Sequence, residues 1–331
     1  MIGVFIILKN KGCEIKMPCT EFTVNNPKDI IINLLAFLTD ETKMGTGKAW
    51  QLKTPSNPNA FESECILMGV GDGTDEIYVG IQLREHKDED QTDIRFNGFA
   101  GYDDGLKWNE QPGCIYFPAL PIIPLPNRAN MPCWVSANSY RFILVVQLST
   151  QYESAYIGFM KPVAVERQYP YPLVIGGSAW DGVNWNTTGN AHSIWVNPYT
   201  SGTNSQFMLR RSDGTWELAN NSKDEQTTST LAIWPQNTSP TNVLTVLDNS
   251  LTIENIVMFP ELLYECGAGP NRKSIGSDPI GIIGQLDGVY FVGNREDISS
   301  KDTLIHNGKP YIVFNNINRR ENDQYFCIEW F

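Results

Sequence analysis

The sequence predicts a mainly β protein, with antiparallel sheets in sandwich- or barrel-like domains and one amphipathic α-helix near the N-terminus. Beyond Trp50, short apolar or alternating runs recur between clusters of Gly, Pro, Asn and Asp, which is the pattern of strands and turns. Only one segment has the 3.6-residue periodicity of a helix. No repeat of fixed period indicates a solenoid or a propeller.

The helix is predicted to begin after Asn26. Asn26 can serve as the N-cap, Pro27 takes the first helical position, and Asp29 complements the helix dipole. Apolar residues at positions 31, 34, 35 and 38 then form one face. The polar face is acidic and lacks the Lys and Arg of a membrane-surface helix, so we expect this helix to pack on the core.

A hairpin and an acidic segment follow. Residues 64–70 and 76–83 flank a turn rich in Gly and Asp, which predicts two paired strands, and residues 94–99 predict a third. Residues 84–93 are predicted to be an acidic loop, which we interpret as a solvated surface. The alternatives are paired carboxylates within residues 84–110 for glycoside hydrolysis and a calcium site at Asp72, Asp75 or residues 88–93.

The segment 112–132 is studded with prolines, and their spacing favours an extended polyproline-like ribbon. Because each proline removes a ladder donor, we do not expect a central strand here. Pro118, Pro121 and Pro124 are therefore candidate interface residues.

Residues 134–148 predict two strands around a turn at Asn138, and residues 154–160 predict a third. The run 142–146 is apolar throughout, which is typical of a central strand covered on both faces. A second proline-rich segment at 161–172 predicts a domain junction. We thus expect an N-terminal arm at 1–20, a helix plus β domain at 21–167 and a second β domain at 168–331.

The second half contains many short strand candidates, with hairpin signals at Asp213-Gly214 and Asn307-Gly308. The predicted strands are 193–196, 207–211, 215–219, 231–234, 243–247, 255–265, 288–292, 309–315 and 325–331.

Composition excludes several classes of protein. The 331 residues have a formal net charge of −12 and a pI of about 4.8, which disfavours a nucleic-acid partner. Hydrophobic residues make up 41% of the chain and charged residues only 19%, so the chain is not a disordered acidic one. The apolar run 1–8 is too short for a membrane span and suggests an edge strand or an arm that docks on a neighbour.

Catalytic and metal-binding motifs fail on inspection. The chain has three His and no CxxC pair among its seven Cys, so we expect no metal and no cofactor, and we interpret the cysteines as buried free thiols. The alternative is pairing between chains. The segment 44–49 has Ala49 where a phosphate-binding loop needs Ser or Thr, and Trp180 replaces the second glycine of a nucleophile elbow. We therefore predict no catalytic residues and no enzyme.

Aromatic residues among amides in the second half are candidates for binding. Rings stack on sugar faces and amides bond hydroxyl groups, but the same residues suit a protein interface or the core of a β domain, and the three interpretations stay open. The candidate interface or ligand residues are Trp180, Trp185, Trp195, Trp216, Trp234, Tyr169 and Tyr171.

Several blocks of sequence carry a resemblance when they are taken in order. The longest runs WVSANSYRFILVVQLSTQYESAYIGFM at 134–160, and the others are 75–82, 96–103, 169–178, 286–292 and 311–316. Together they resemble a family of virion structural proteins of tailed bacteriophages, found among tail and baseplate genes. The resemblance covers most of residues 20–331 and carries over no catalytic residue.

The resemblance implies a structural subunit of the tail, at the baseplate or tail tip, made in the host cytoplasm and located in the virion. Its partners would be other tail or baseplate proteins and copies of itself, with no membrane span. The tryptophans support an alternative, a host-recognition module that binds a surface glycan. A glycan-degrading virion enzyme is the third hypothesis, supported only by the abundant carboxylates.

Overall fold

The computed structural model describes residues 17–71, 76–86, 89–116, 120–162, 173–186, 206–211, 213–218, 231–234, 258–266, 279–292, 298–315 and 325–330. The described elements, in chain order, are β1 (Cys19–Val24), α1 (Pro27–Leu38), α2 (Glu41–Met44), β2 (Gln51–Thr54), a 3-10 turn (Pro58–Ala60), β3 (Glu64–Gly69), β4 (Ile77–His86), β5 (Gln91–Phe99), β6 (Pro121–Leu125), β7 (Met131–Ala137), β8 (Arg141–Leu148), β9 (Gln151–Phe159), β10 (Lys161–Pro162), β11 (Leu173–Gly177), β12 (Ala179–Trp180), β13 (Gln206–Arg210), β14 (Trp216–Leu218), β15 (Leu231–Trp234), β16 (Met258–Cys266), β17 (Pro279–Val292), β18 (Thr303–His306), β19 (Lys309–Asn315) and β20 (Tyr325–Glu329).

The described strands form three antiparallel sheets, which confirms the predicted mainly β fold. Sheet A has the order β1-β7-β8-β9-β11-β13-β14. Sheet B has the order β12-β6-β5-β4-β3-β2. Sheet C has the order β15-β16-β17-β20-β19-β18, with β10 also paired to β17.

Sheet A is the middle layer of a three-layer stack. Val135 and Leu144 belong to the core shared with sheet B and α1, while their chain neighbours Trp134 and Val145 belong to the core shared with sheet C. Successive side chains of a strand point to opposite faces, so a strand of sheet A needs apolar residues at every position. This confirms the prediction that the run within β8 is a central strand covered on both faces.

The predicted helix forms where its signals place it. The Asn26 side chain accepts a hydrogen bond from the backbone N–H of Asp29 at 3.0 Å, and Pro27 is the first helical residue. The apolar face of α1 is buried in the core between sheets A and B, as expected. No described helix has the length and apolar character that crossing a bilayer requires.

Two expectations about the first half are wrong. The proline-rich segment contributes β6 to the interior of sheet B, between β5 and β12. The prolines are tolerated in β6 because, among the described strands, β12 pairs only with Pro121 and Ile122. Pro124 pairs with β5 on one side and lies beyond the end of β12 on the other. The acidic loop is largely a hairpin, since β4 runs to His86 and β5 starts at Gln91, opposite it.

The sheets do not divide at the predicted junction. β11, β13 and β14 follow residue 168 yet complete sheet A, and β12 joins sheet B. Residues 163–172 lie outside the described residues, as do the predicted strands 193–196 and 243–247. Of the predicted arm, residues 1–16 lie outside them too, and Cys19 and Thr20 begin β1 at the edge of sheet A.

Candidate functional site

A polar cluster lies on the outer face of sheet B, at the end of the β4–β5 hairpin. The cross-strand pairs there are Gln82 with Arg95, Arg84 with Asp93 and His86 with Gln91. Polar residues alternate with core residues such as Ile81 and Ile94, so these side chains share the face that points away from sheet A. The segment 180–186 covers them.

Asp181 connects this segment to both strands of the hairpin. The chain turns tightly at Gly182, which has a φ of +106°, and the N–H of Val183 donates to the carbonyl of Trp180 at 3.2 Å. The turn directs Asp181 inward, where one oxygen accepts from Arg84 at 2.9 Å and the other from Arg95 at 2.8 Å. Arg95 also donates to the side-chain carbonyl of Gln82 at 2.6 Å.

Asp93 is completely buried beside this ionic group. One carboxylate oxygen lies 2.6 Å from Nε2 of His86, and the other accepts from the Gln91 amide at 2.7 Å. Burial raises the pKa of Asp93, against the opposing effect of the hydrogen bonds from His86 and Gln91. Every oxygen of Asp93 and Asp181 thus has a neighbouring side chain as its partner, and the cluster fastens segment 180–186 to the hairpin.

Two of the predicted tryptophans border the cluster. The indole N–H of Trp185 donates to the carbonyl of Asp90 at 2.6 Å, and its backbone N–H donates to Gln91 at 3.1 Å. Trp180 is 44% exposed at the end of β12. A Cβ on Gly182 would come within 3.3 Å of its ring, so the glycine supports the indole from the protein side. Such a ring can stack on an apolar ligand face.

Trp216 has a different position, in sheet A. Its ring packs on Gly98 of β5, where a Cβ would lie 2.6 Å from Cη2, and its indole N–H donates to the carbonyl of Gly113 at 2.7 Å. The ring therefore bridges sheets A and B.

The remaining candidates are buried or lie outside the description. Pro121 and Pro124 are buried within β6. Trp234 belongs to β15, and nothing is described of its side chain. Trp195, Pro118, Tyr169 and Tyr171 lie outside the described residues.

A second polar cluster, which the sequence did not predict, joins sheets A and C around the buried Asp287. Oδ2 of Asp287 accepts from Asn138 and Tyr140 at 2.9 Å and from Nε of Arg141 at 3.2 Å, while Lys161 pairs with Oδ1. Arg141 is itself fully buried and donates to the carbonyl of Ser136 at 3.1 Å.

The cations of this cluster decide the ionisation of Asp287. Burial opposes the charge, but the charges of Arg141 and Lys161, with hydrogen bonds from Lys161 and Tyr140, outweigh it and hold the pKa at about 2. The backbone N–H of Asp287 donates to the hydroxyl of Tyr156 at 3.0 Å, which adds a second contact between β17 and β9 of sheet A. The only sequence signal was a lone Arg at the start of an apolar run, and its partner lies 146 residues away.

The described cysteines differ in burial. Cys65 and Cys133 are buried free thiols, as interpreted from the sequence, and burial raises the pKa of each. Cys19 and Cys114 are only partly buried, which corrects that interpretation for these two residues. Among the described residues, no group of three or more His, Cys, Asp or Glu has a geometry that could hold a metal ion.

Comparison with known proteins gave no relative, since no family model and no curated protein matches the chain. The proposals below therefore start from the fold and the contacts described above.

Proposed function

We propose that the chain is a structural subunit of a bacteriophage tail, at the baseplate or tail tip. In this proposal it is made in the host cytoplasm and acts by assembly with other tail proteins and with copies of itself, without turnover. The observation that carries the proposal is the Asp287 cluster, which links sheets A and C through the buried charges of Arg141 and Asp287.

The cluster suits a rigid building block. Loss of one partner of a buried ion pair is strongly destabilising. The hydrogen bonds that Asn138 and Tyr140 donate to Asp287 also link the β7–β8 turn of sheet A to β17 of sheet C. Aromatic packing adds to the junction, because the ring centroids of Trp134, Tyr152 and Phe314 lie 5.2–6.1 Å apart. A stack held in this way can bear contacts on several sides, as a subunit of a symmetric particle must.

The resemblance to phage virion proteins supports the same proposal. Its blocks at 134–160, 286–292 and 311–316 supply β7, β8 and β9 of sheet A, part of β17, and part of β19. Asn138, Tyr140, Arg141 and Asp287 all lie within these blocks. Four residues of the cluster that joins sheets A and C thus lie within the blocks that carry the resemblance.

Immunogold labelling of particles purified from the phage that encodes the chain would test the proposal. Antibody against the chain should label the tail end distal to the capsid, and mass spectrometry of the same particles should contain its peptides. Intact particles that carry neither label nor peptides would refute it.

Glycan binding is a second candidate, favoured by the exposed ring of Trp180 against Gly182. An array of host surface polysaccharides should then retain the chain, and Trp180→Ala should abolish the retention. Tyr116→Ala removes an aromatic that is 86% exposed elsewhere and is the matched control. Equal retention of the two variants, or none of the wild type, would remove this candidate.

A further inference from the structure

Edge strands of the three sheets differ in how they are protected against pairing with another chain. β2 has a register shift between Leu52 and Thr54, carries Lys53 and is followed by Pro55. β12 and β14 have two and three residues, and β1 exposes Glu21. Bulges, charges, prolines and shortness are the usual devices that keep an edge from pairing.

β18 lacks the bulge, charge and proline of these strands, although with four residues it is as short as β2. Its sequence, Thr-Leu-Ile-His, carries no Lys, Asp, Glu or Pro, and its pairing with β19 is regular. Ile305 is 70% exposed on this strand. Among the described strands, β15 and β18 are the two ends of sheet C, and β18 is the one with a described exposed apolar side chain beside its outer backbone edge.

The hairpin geometry identifies the backbone groups that face outward. Asn307 and Gly308 have φ values of 51° and 79°, which is the two-residue turn that makes His306 and Lys309 a hydrogen-bonded pair. Bonded and non-bonded pairs alternate along an antiparallel ladder. Thr303 and Ile305 are therefore non-bonded towards β19, and their N–H and C=O groups point away from the sheet.

We propose that β18 pairs antiparallel with β18 of a second copy of this chain, about a two-fold axis at Leu304. Thr303 of each copy then lies opposite Ile305 of the other, and the two pairs exchange four backbone hydrogen bonds. The contact is isologous, because the same strand serves both sides. Sheet C continues across the dimer.

The backbone at both ends of β18 selects this register. A shift of two residues in either direction would place Ile305 opposite Lys301 or Thr303 opposite Asn307. Lys301 and Asn307 have φ values of 76° and 51°, so neither can continue an extended strand. Only the register centred on Leu304 pairs both outward-facing residues.

Charge and side-chain size favour a second copy in the same register. Asp302 of one chain comes opposite His306 of the other, so a carboxylate meets an imidazole rather than another carboxylate. The central pair is Leu304 with Leu304, and Ile305 is covered beside the partner Thr303. The inference deepens the proposed assembly function, on which it rests, by naming one partner.

Association of the full chain tests the dimer. Analytical ultracentrifugation should give a dimer for the wild type, and Ile305→Lys should weaken it at least about tenfold. Ile305→Pro removes the outward N–H together with the isoleucine side chain and should do the same. Ile282→Lys alters an isoleucine that is 50% exposed on the interior strand β17, and it should leave the dimer intact. A monomeric wild type, or equal effects of the two lysine variants, would overturn the proposal.

Cross-linking tests the register. Under mild oxidation, Leu304→Cys should form a disulfide-linked dimer beyond the level of the wild type, because its two copies face each other. Ile305→Cys alone should not, but a mixture of Ile305→Cys and Thr303→Cys should. Linking by Ile305→Cys alone would contradict this register. A linked dimer of a chain that is absent from phage particles would refute the tail function and leave the dimer standing.

Discussion

Asp287, between sheets A and C, and Asp93, on the outer face of sheet B, are both buried carboxylates, yet their pKa values shift in opposite directions. The pKa of Asp287 is held at about 2, whereas burial raises that of Asp93. The two differ in the charge of their partners. Asp287 contacts Arg141 and Lys161, whereas Asp93 contacts an imidazole and an amide.

Cations are also present at the sheet B cluster, but they pair with a carboxylate other than Asp93. Arg84 and Arg95 both bond Asp181, one residue before the turn glycine. The charge of the partners of a buried carboxylate, more than the extent of its burial, therefore decides whether its pKa is lowered or raised. We expect the sheet A–C junction to fail when its ions are disturbed, and the sheet B cluster to tolerate the loss of charge at Asp93.

Removal of Arg141 should have the largest effect. Arg141→Met leaves Asp287 without its one fully buried cation partner among the described residues, so we expect a loss of about 3–5 kcal/mol in the free energy of unfolding. Urea denaturation measures this loss of stability. The control is Lys43→Met, which breaks an exposed pair with Asp40 and should cost about 0.5 kcal/mol or less.

The double variant Arg141→Met, Asp287→Met checks the cause. It removes both charges, and it should be more stable than Arg141→Met alone. A double variant that is less stable than the single one would show that packing, not the unpaired charge, explains the loss.

Acid should weaken the same junction. The pKa of Asp287 lies below its ordinary value of 3.8, so the folded state favours the ionised form. This stabilisation, about 2 kcal/mol, is present above pH ~4 and is lost as the pH falls towards 2. Unfolding free energies of the wild type and Asp287→Asn, measured between pH 2 and 7, should converge as the pH falls. A constant difference would contradict the shift.

The sequence predicted what depends on local pattern. The cap at Asn26 bonds a residue three positions along the chain, and the apolar face of α1 follows from spacings of three and four residues. The continuous apolar run of β8 already indicated a strand with two covered faces. The hairpin signal at Asn307-Gly308 likewise marked the turn between β18 and β19.

What the sequence could not predict depends on distance along the chain. Asp287 meets Arg141 across 146 residues, and Asp181 meets Arg84 across 97. The acidic segment was interpreted as a solvated loop because its polar residues suggested exposure. Their alternation with core residues, combined with a covering segment from residues 180–186, buries Asp93 instead. When the residues that bury a side chain come from a distant part of the chain, the local sequence does not indicate the burial.

Glycines under tryptophan rings should be the next most sensitive positions of sheet B. Trp108 packs on Gly80 and Trp216 on Gly98, so that a Cβ at either would lie 2.2 and 2.6 Å from the indole. We expect Gly98→Ala to cost about 1–3 kcal/mol, as overpacking does. Gly101→Ala, with no atom within 4 Å of its Cβ, is the control. Equal thermal stability of the two variants would show that the ring moves freely.

Asp93→Asn should have the smallest effect and therefore sharpens the contrast with Asp287 most. The raised pKa means that the folded state disfavours the ionised carboxylate, so its contribution to stability declines as the pH rises above 3.8. An amide at this position is uncharged, still accepts from Gln91 through its oxygen, and can donate to Nε2 of His86 in the suitable tautomer.

At pH 7 we expect Asp93→Asn to change the free energy of unfolding by about 1 kcal/mol or less, against a clear loss for Asp287→Asn. Between pH 4 and 7 the stability of the wild type relative to Asp93→Asn should fall, the reverse of the trend at Asp287. A large loss at pH 7 would instead mean that Asp93 needs its charge, and that the cluster on sheet B depends on ion pairing as much as the junction of sheets A and C.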